Sequence, residues 1–208
     1  MNFDIWALGG ALLAIAVVFI WTIRTGSPPT PTSPAARRAM LAILPRHLPR
    51  VFTEDKPGAI YELGAGWGGM ALALARQYPD DSVAGVELAP VPWLVAKCRS
   101  MMPGHGNLEI RYGDFHASDL SDAGLVVCYL SADGLARLKP KLEDELPKGA
   151  LVLSNTFAMP GWRRTDETAA GDIYHSPVYL YEMSDDMTEE DRGAVVATEG
   201  KPARRNRP

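Results

Sequence analysis

The sequence contains few residues of the kind that bind metals or form disulfides. Among its 208 residues are two cysteines and four histidines, none of them in a C-x-x-C or H-E-x-x-H arrangement. Such spacings mark zinc sites and disulfide frameworks, so their absence predicts that no metal is bound. Cys98 and Cys128 each lie in an apolar stretch, which predicts two buried, reduced thiols.

An excess of basic residues is also missing. The chain has 21 lysines and arginines against 25 aspartates and glutamates, for a formal net charge of −4. Because nucleic-acid-binding surfaces are usually strongly basic, this balance disfavours a nucleic acid as a partner. At this length the chain has room for one ordinary domain with extensions, and not for separate cofactor and substrate domains.

One long apolar segment is present near the N-terminus. Residues 5–23 carry no charge, and about 20 such residues form a helix long enough to cross a bilayer. Trp6 and Trp21 fall near its two ends, where aromatic rings favour the membrane interface. A cleaved signal peptide is the alternative, but Asp4 precedes the apolar run, and such peptides begin with a basic region. Residues 1–24 are therefore predicted to be a transmembrane anchor that contacts the lipid bilayer.

The residues around this segment predict the orientation of the chain. Arg24, Arg37 and Arg38 follow the segment, and no lysine or arginine precedes it. The positive-inside rule then places the N-terminus outside and the catalytic domain in the cytoplasm, as a single-pass protein of the cell inner membrane. Residues 25–34 are rich in proline, which predicts a semi-extended linker. Residues 184–208 have acidic and then basic clusters with little apolar content, which is typical of a disordered tail.

Between linker and tail, residues 35–183 show an alternation of strand-like and helix-like segments. An initial helix or pair of helices is predicted from Ala35 to Phe52, with breaks near Pro45 and Pro49. Strands are predicted at Ala59–Leu63, Val83–Leu88, Leu108–Tyr112, Leu125–Leu130, Ala150–Phe157 and Val178–Met183, and helices at Gly69–Gln77, Pro92–Met101 and Gly134–Glu145. This alternation predicts an α/β fold with a doubly wound, mostly parallel sheet.

The loops after three of these strands carry residues suited to a nucleoside. In such sheets ligands bind at the carboxyl ends of the strands. The first strand runs into a glycine-rich turn at residues 64–69, where a ligand can approach the backbone closely. Glu87 ends the second strand and can accept two hydrogen bonds from a ribose diol. Asp114 follows the third strand and can accept one from an exocyclic amine, beside the ring of Phe115.

The spacing of the glycines also fits a dinucleotide-binding fold. Gly64-x-Gly66-x-x-Gly69 with an acid about 20 residues on is a dinucleotide fingerprint. Glu62 decides between the two, since a carboxylate so near the turn would repel a pyrophosphate and attract the α-amino group of a methionine moiety. A dehydrogenase would also need a substrate domain, for which the chain has no length.

These residues resemble the successive motifs of class I S-adenosylmethionine methyltransferases: E-L-G-A-G-W-G at 62–68, G-V-E-L at 85–88 and G-D-F at 113–115. More narrowly, the apolar N-terminal segment, P-T-S-P at 31–34, E-L-A-P-V-P-W-L-V at 87–95 and F-A-M-P-G-W at 157–162 are similar to the membrane-anchored protein-lysine methyltransferases that modify the mitochondrial adenine nucleotide carrier and the c-type polypeptide of the ATP synthase, and to their bacterial relatives. The resemblance implies a Rossmann-like fold and S-adenosyl-L-methionine as cofactor. It assigns the cofactor contacts to Glu62, Gly64, Ala65, Gly66, Gly68, Glu87, Leu88, Asp114 and Phe115.

Residues after the fourth and fifth strands are the candidates for catalysis. Tyr129 and Ser131 can accept a proton or orient a substrate amine, although packing and helix capping are alternatives. Phe157 and Trp162 are predicted to form walls of the substrate pocket, with a core position as the alternative for Trp162. The predicted function is methylation of a lysine on a membrane protein. The alternatives are a methyltransferase for a lipophilic small molecule and a non-catalytic, membrane-tethered module that binds the cofactor.

Overall fold

The structure, a computed structural model, describes residues 6, 8–10, 31–48 and 58–184. The predicted anchor at 1–24, most of the linker at 25–34 and nearly all of the tail at 184–208 lie outside these ranges. Among the described residues, no helix combines the length and the apolar character needed to cross a bilayer. The anchor, the linker and the tail therefore stay predictions.

Helices and strands alternate along the described chain. The helices are α1 (Pro34–Ile43), α2 (Gly69–Gln77), α3 (Pro90–Ser100) and α4 (Ala132–Glu145), with a short 3-10 helix at Phe115–Ala117. The strands are β1 (Ala59–Leu63), β2 (Val83–Glu87), β3 (Leu108–Tyr112), β4 (Ala123–Cys128), β5 (Leu151–Asn155), β6 (Asp166–Ala169) and β7 (Pro177–Glu182).

The strands form one seven-stranded sheet in the order β3-β2-β1-β4-β5-β7-β6. The first five strands in this order pair in parallel, and β7 pairs antiparallel with both β5 and β6. This confirms the predicted mostly parallel, doubly wound sheet. Because the strand order reverses between β1 and β4, a crevice for a ligand opens at the carboxyl ends of these two strands.

Helices cover both faces of the sheet. Ile60 of β1 packs in a cluster with Met40 of α1 and Met70 of α2, whereas Leu63 packs in a second cluster with Leu138 of α4. We call these two sides the α1–α2 face and the α4 face. Since side chains alternate along a strand, Glu62 points toward the α1–α2 face, as Ile60 does.

Helix α1 has clear start and stop signals and is shorter than predicted. The side chain of Ser33 accepts a hydrogen bond from the backbone N–H of Ala36 at 3.0 Å, and Pro34 occupies the first helical position, where its missing N–H costs nothing. The helix ends at Ile43, ahead of Pro45, whose ring disfavours helical geometry in the preceding residue.

Two expectations from the sequence are wrong. Strand β6 was not predicted, because its sequence Asp-Glu-Thr-Ala is polar and mostly exposed, as befits an edge strand. Cys98 is exposed, and only Cys128 is buried as predicted. On α3 the buried positions belong to Pro92, Ala96 and Ser100, so Cys98, two residues from Ala96, falls on the opposite side of the helix.

Gly68, at the start of α2, permits close contact with α3. Its φ is +74°, and a β-carbon there would lie 2.9 Å from the β-carbon of Ala96. We expect Gly68→Ala to lower the free energy of unfolding by about 2–4 kcal/mol, from backbone strain plus the steric conflict. Gly104→Ala is the control, because Gly104 has a φ of +90° and open space around it, so only strain of about 1–2 kcal/mol applies. Urea denaturation measures both losses, and equal losses would contradict the packing argument.

Candidate active site

The glycine-rich turn after β1 folds back onto the end of β2. The backbone N–H groups of Gly64 and Ala65 both donate to the carbonyl of Val86 at 2.9 Å, and the N–H of Gly68 donates to the carbonyl of Ala65 at 2.8 Å. Gly66 has a φ of +53°, and a β-carbon there would meet no atom within 4 Å. The turn is therefore fixed by its own hydrogen bonds while the space beside Gly66 is open to a ligand.

Glu87 joins three strand ends through hydrogen bonds. One oxygen of its buried carboxylate accepts from the N–H of Gly66 at 2.6 Å, and the other from the N–H of Ala89 at 2.7 Å. Its backbone carbonyl accepts from the N–H of Gly113, after β3, at 3.0 Å. A carboxylate oxygen can accept more than one hydrogen bond, so Glu87 can hold the turn and still accept from a ribose.

Glu62 presents a buried carboxyl group with an unpaired oxygen. Its Oε2 atom has no hydrogen-bond partner. Burial raises the pKa of Glu62 from 4.5 to about 8, and the charge of Glu87 adds to this, while a hydrogen bond with the Ala71 backbone and the charge of Arg37 oppose it. A cation that binds beside this oxygen would both pair with it and favour its charged form.

Arg37 is a site residue that was not predicted from the sequence. It lies on α1, and its guanidinium donates to the carbonyl of Gly69, at the start of α2, at 3.2 Å. Its charge also acts on Glu62. In the sequence, Arg37 indicates only the orientation of a membrane segment, because no local pattern shows that α1 lies over α2. The remaining guanidinium donors suit the carboxylate of an amino-acid moiety.

The loop after β3 is held by its own side chain. Oδ1 of Asp114 accepts from the N–H of His116 at 2.9 Å and so caps the short 3-10 helix. Phe115 is half-buried against the core and lies beside the ring of His116, with 4.6 Å between ring centroids. Leu88, at the end of β2, is also half-buried. The contacts of Leu88, Asp114 and Phe115 with an adenine stay predictions.

The residues present fit S-adenosyl-L-methionine. Unpaired Oε2 of Glu62 suits its α-amino group, Arg37 suits its carboxylate, and Glu87 suits its ribose. The open space at Gly66 lets the ligand lie against the backbone. The sequence-predicted cofactor residues before and after β2 are thus brought together by direct hydrogen bonds.

Tyr129 and Ser131, the predicted catalytic residues, follow β4 beside the glycine turn. A β-carbon on Gly64 would lie 3.6 Å from the side chain of Leu130, so the two loops are neighbours. Tyr129 is 36% exposed, and its ring is open to a ligand. Oγ of Ser131 accepts from the N–H of Gly134 at 3.2 Å and caps α4. Ser131 therefore has a structural role, and catalysis by either residue stays a prediction.

The capping role of Ser131 can be measured. We expect Ser131→Ala to lower the free energy of unfolding by about 1 kcal/mol, because α4 loses its cap. Ser131→Asp keeps a capping oxygen and should restore the stability. Urea denaturation checks both values, and an unchanged stability in Ser131→Ala would contradict the cap. Turnover of Ser131→Asp then separates the roles, since a catalytic hydroxyl would be lost although the cap is kept.

The two predicted pocket walls occupy different surroundings. Phe157 is 39% exposed and follows β5. Trp162 is 3% exposed, its indole N–H donates to Glu143 of α4 at 2.9 Å, and its ring meets Tyr181 edge-on at 5.7 Å between centroids. Trp162 is thus a core residue of the α4 face, because a partner on α4 takes up its polar atom. Phe157 alone has the exposure expected of a pocket wall.

Asn155 is a second residue that was not predicted from the sequence. It ends β5 and is buried, and its Oδ1 atom has no hydrogen-bond partner. The predicted strand ran on to Phe157, which concealed that Asn155 is the point where the strand stops. The polar pair Ser154-Asn155 after an apolar run was the available signal.

Known proteins share this sequence and fold. Residues 62–166 match the family described as the ANTKMT methyltransferase domain. The chain is 31% identical over 157 residues to a protein-lysine N-methyltransferase of Saccharolobus islandicus, covering 74% of this chain and 92% of that protein. It is 29% identical over 189 residues to the lysine N-methyltransferase of Mus musculus that acts on the c-type polypeptide of ATP synthase, covering 85% of this chain and 68% of that one.

A solved structure supports the same conclusion about the cofactor. The fold is similar to that of an RNA methyltransferase from Salinibacter ruber in complex with S-adenosyl-L-homocysteine, with a TM-score of 0.65 and 26% identity over 77% of this chain and 98% of that chain. The family match begins at Glu62 and includes the glycine turn, Glu87 and Asp114. The predicted resemblance and cofactor are confirmed: the chain belongs to the ANTKMT methyltransferase domain family and is an S-adenosyl-L-methionine-dependent methyltransferase.

Proposed function

We propose that this methyltransferase modifies the ε-amino group of a lysine on a membrane-associated protein. The observation that carries the proposal is the 31% identity to a protein-lysine N-methyltransferase across 92% of that protein's length. The mouse relative that acts on a polypeptide of ATP synthase adds a lysine in a membrane protein as the class of substrate. The apolar segment at residues 5–23 would hold the domain at the membrane where such a protein lies.

The chemistry needs an aligned, uncharged amine. S-adenosyl-L-methionine supplies a methyl group on a sulfonium centre. A lysine has an ordinary pKa of about 10.4, so removing its proton at pH 7 costs roughly 4–5 kcal/mol. Exclusion of water lowers this cost, because desolvation disfavours the charged form of an amine. Tyr129 and Phe157, both partly exposed after β4 and β5, would enclose the amine, and the hydroxyl of Tyr129 would accept its proton.

The shape and charge of the domain favour a protein over the other substrates. Only residues 156–165 separate β5 from β6, which leaves little chain to form a lid over a small lipophilic molecule. The solved neighbour acts on RNA, but a net charge of −4 is unfavourable for a polyanion. An open, uncovered site suits a side chain presented by another protein.

The proposed location follows from the N-terminal segment. Residues 5–23 would span the inner membrane with the N-terminus outside, and the methyltransferase domain would lie in the cytoplasm. The proline-rich residues 25–34 would then separate the domain from the lipid by up to about 30 Å, at 3.1 Å per residue. This reach limits the substrate to lysines near the membrane surface.

Labelling identifies the substrate directly. The full chain is incubated with membranes from its own organism and S-adenosyl-L-methionine that carries a labelled methyl group. We expect labelled protein, with the label on lysine by mass spectrometry, and none with Glu87→Ala. Label in lipid, in quinone or in RNA, without labelled protein, would contradict the lysine proposal. Tight cofactor binding without transfer to any fraction would favour a non-catalytic binding module.

A further inference from the structure

Asn155 has a buried side chain whose oxygen lacks a partner. The residue is 2% exposed, and Oδ1 is one of four buried side-chain atoms without a hydrogen bond in the described part of the chain. Leaving a buried acceptor unpaired is unfavourable, and native proteins contain few such atoms. An unpaired acceptor at a ligand site is explained when the ligand brings the missing donor.

Strand register places Asn155 at the edge of the sheet where the cofactor site lies. Cys128 of β4 is the register partner of both Leu63 of β1 and Ser154 of β5. Asn155 is therefore one residue beyond this line, level with Gly64, the first glycine of the turn. With neighbouring strands about 4.8 Å apart, the backbones of Asn155 and Gly64 are about 10 Å from each other.

The side chain of Asn155 also points to the same face as Glu62. Leu153 of β5 belongs to the cluster of the α1–α2 face, and Asn155, two residues on, shares its direction. Glu62 and Asn155 carry the two unpaired oxygens among the four unpaired atoms, since the others are ring nitrogens of Trp93 and His105. One sheet edge thus holds two unpaired acceptors, one suited to the cofactor and one beyond it.

A strained turn fixes the position of Asn155. The N–H of Phe157 donates to the carbonyl of Asn155 at 2.9 Å across Thr156, whose φ is +71°, as in the rare classic γ-turn. Positive φ is unfavourable for a β-branched residue and tends to occur at functional sites. Oγ of Ser154 donates to the carbonyl of Phe157 at 2.7 Å and closes the turn. Asn155 is therefore held still next to the exposed ring of Phe157.

We infer that Oδ1 of Asn155 binds the substrate amine by accepting a hydrogen bond from it. The inference rests on the proposed function, in which that amine is a lysine ε-amino group. An uncharged amine that donates one N–H to Asn155 keeps its nitrogen lone pair free for the new N–C bond. Asn155 is then the residue that orients this lone pair, while Phe157 and Tyr129 enclose the carbon chain of the lysine.

Substitution by leucine separates this role from a structural one. We expect Asn155→Leu to lower kcat/KM for the labelled substrate about 100-fold, with the Kd for S-adenosyl-L-methionine within twofold of the original. Its thermal midpoint should be unchanged or higher, because an unpaired buried oxygen is removed. Asn155→Asp keeps an acceptor oxygen and should retain more activity than Asn155→Leu.

Asn107 provides a matched control for the stability measurement. Its side-chain nitrogen donates to the carbonyls of Ala75, Tyr78 and Asp81 at 3.2, 2.9 and 2.9 Å. Asn107→Leu should therefore lower the thermal midpoint by several degrees. If Asn155→Leu lowers it as much, Asn155 is structural and the inference is wrong. A weaker Kd for the cofactor in Asn155→Leu would also overturn it, because Asn155 would then face the cofactor.

A second measurement does not depend on methyl transfer. The 15N-labelled full chain, saturated with S-adenosyl-L-homocysteine, is titrated with n-butylamine as a probe for the lysine side chain. We expect the side-chain amide signal of Asn155, assigned by its loss in Asn155→Leu, to shift, and a signal that does not move would overturn the inference. If the original chain labels no lysine while this signal shifts, the proposed substrate is wrong and the amine site stands.

Discussion

Replacing Glu87 by alanine is expected to weaken S-adenosyl-L-methionine binding at least 100-fold. The carboxylate accepts from the N–H groups of Gly66 and Ala89 at 2.6 and 2.7 Å, so its loss leaves two backbone donors without a partner. Hydrogen bonds to a charged group contribute about 1.5–3 kcal/mol each. The substitution also removes the acceptor for the ribose, so the turn and the ligand lose the same anchor.

Calorimetric titration of the cofactor into the purified protein measures this loss. Glu109→Ala is the matched control, because Glu109 lies on the neighbouring strand β3 and pairs only with exposed Arg111. It removes the same charge and should leave the Kd within twofold. Circular dichroism shows whether each variant is folded. An unchanged Kd in folded Glu87→Ala would mean that the ribose does not bind at this carboxylate.

The elements that were predicted correctly have strong local signals. The bounds of β1, α2 and β3 agree with the prediction, because each apolar run is bounded by glycine, proline or charged residues. Strand β6 has no such run and forms only by pairing with β7. That pairing depends on a contact distant in sequence, so the residues of β6 alone do not indicate a strand.

The candidate site divides along the same line. Glu62, the glycine turn and Glu87 follow from the rule that ligands bind at strand ends, and their spacing in sequence is fixed by the fold. Arg37 reaches the site only because α1 packs beside α2. Trp162 has an apolar local context, but its indole N–H is taken up by Glu143 on α4. Contacts between elements that are not adjacent in sequence decide both cases.

The stability of the free protein should fall as the pH rises from about 5 to 8. Burial raises the pKa of Glu62 from 4.5 to about 8, so between these values the folded protein holds a proton that the unfolded chain releases. The stabilisation is complete below the unfolded pKa and is lost as the pH passes through the folded one, a change of a few kcal/mol at most. Urea denaturation at several pH values should show this slope, and Glu62→Gln should reduce it.

Cofactor affinity should change with pH in the opposite direction. The α-amino group of S-adenosyl-L-methionine pairs with the ionised form of Glu62, so binding releases the proton that Glu62 holds in the free protein. With a pKa of about 8, the ionised fraction rises about 20-fold from pH 6.0 to 7.5, and the association constant should rise with it. Glu62→Gln should bind weakly with no such rise, and Glu109→Gln should behave like the original. Calorimetry in buffers of different ionisation enthalpy counts the released protons. An affinity in the original protein that does not change with pH would show that the amino group binds elsewhere.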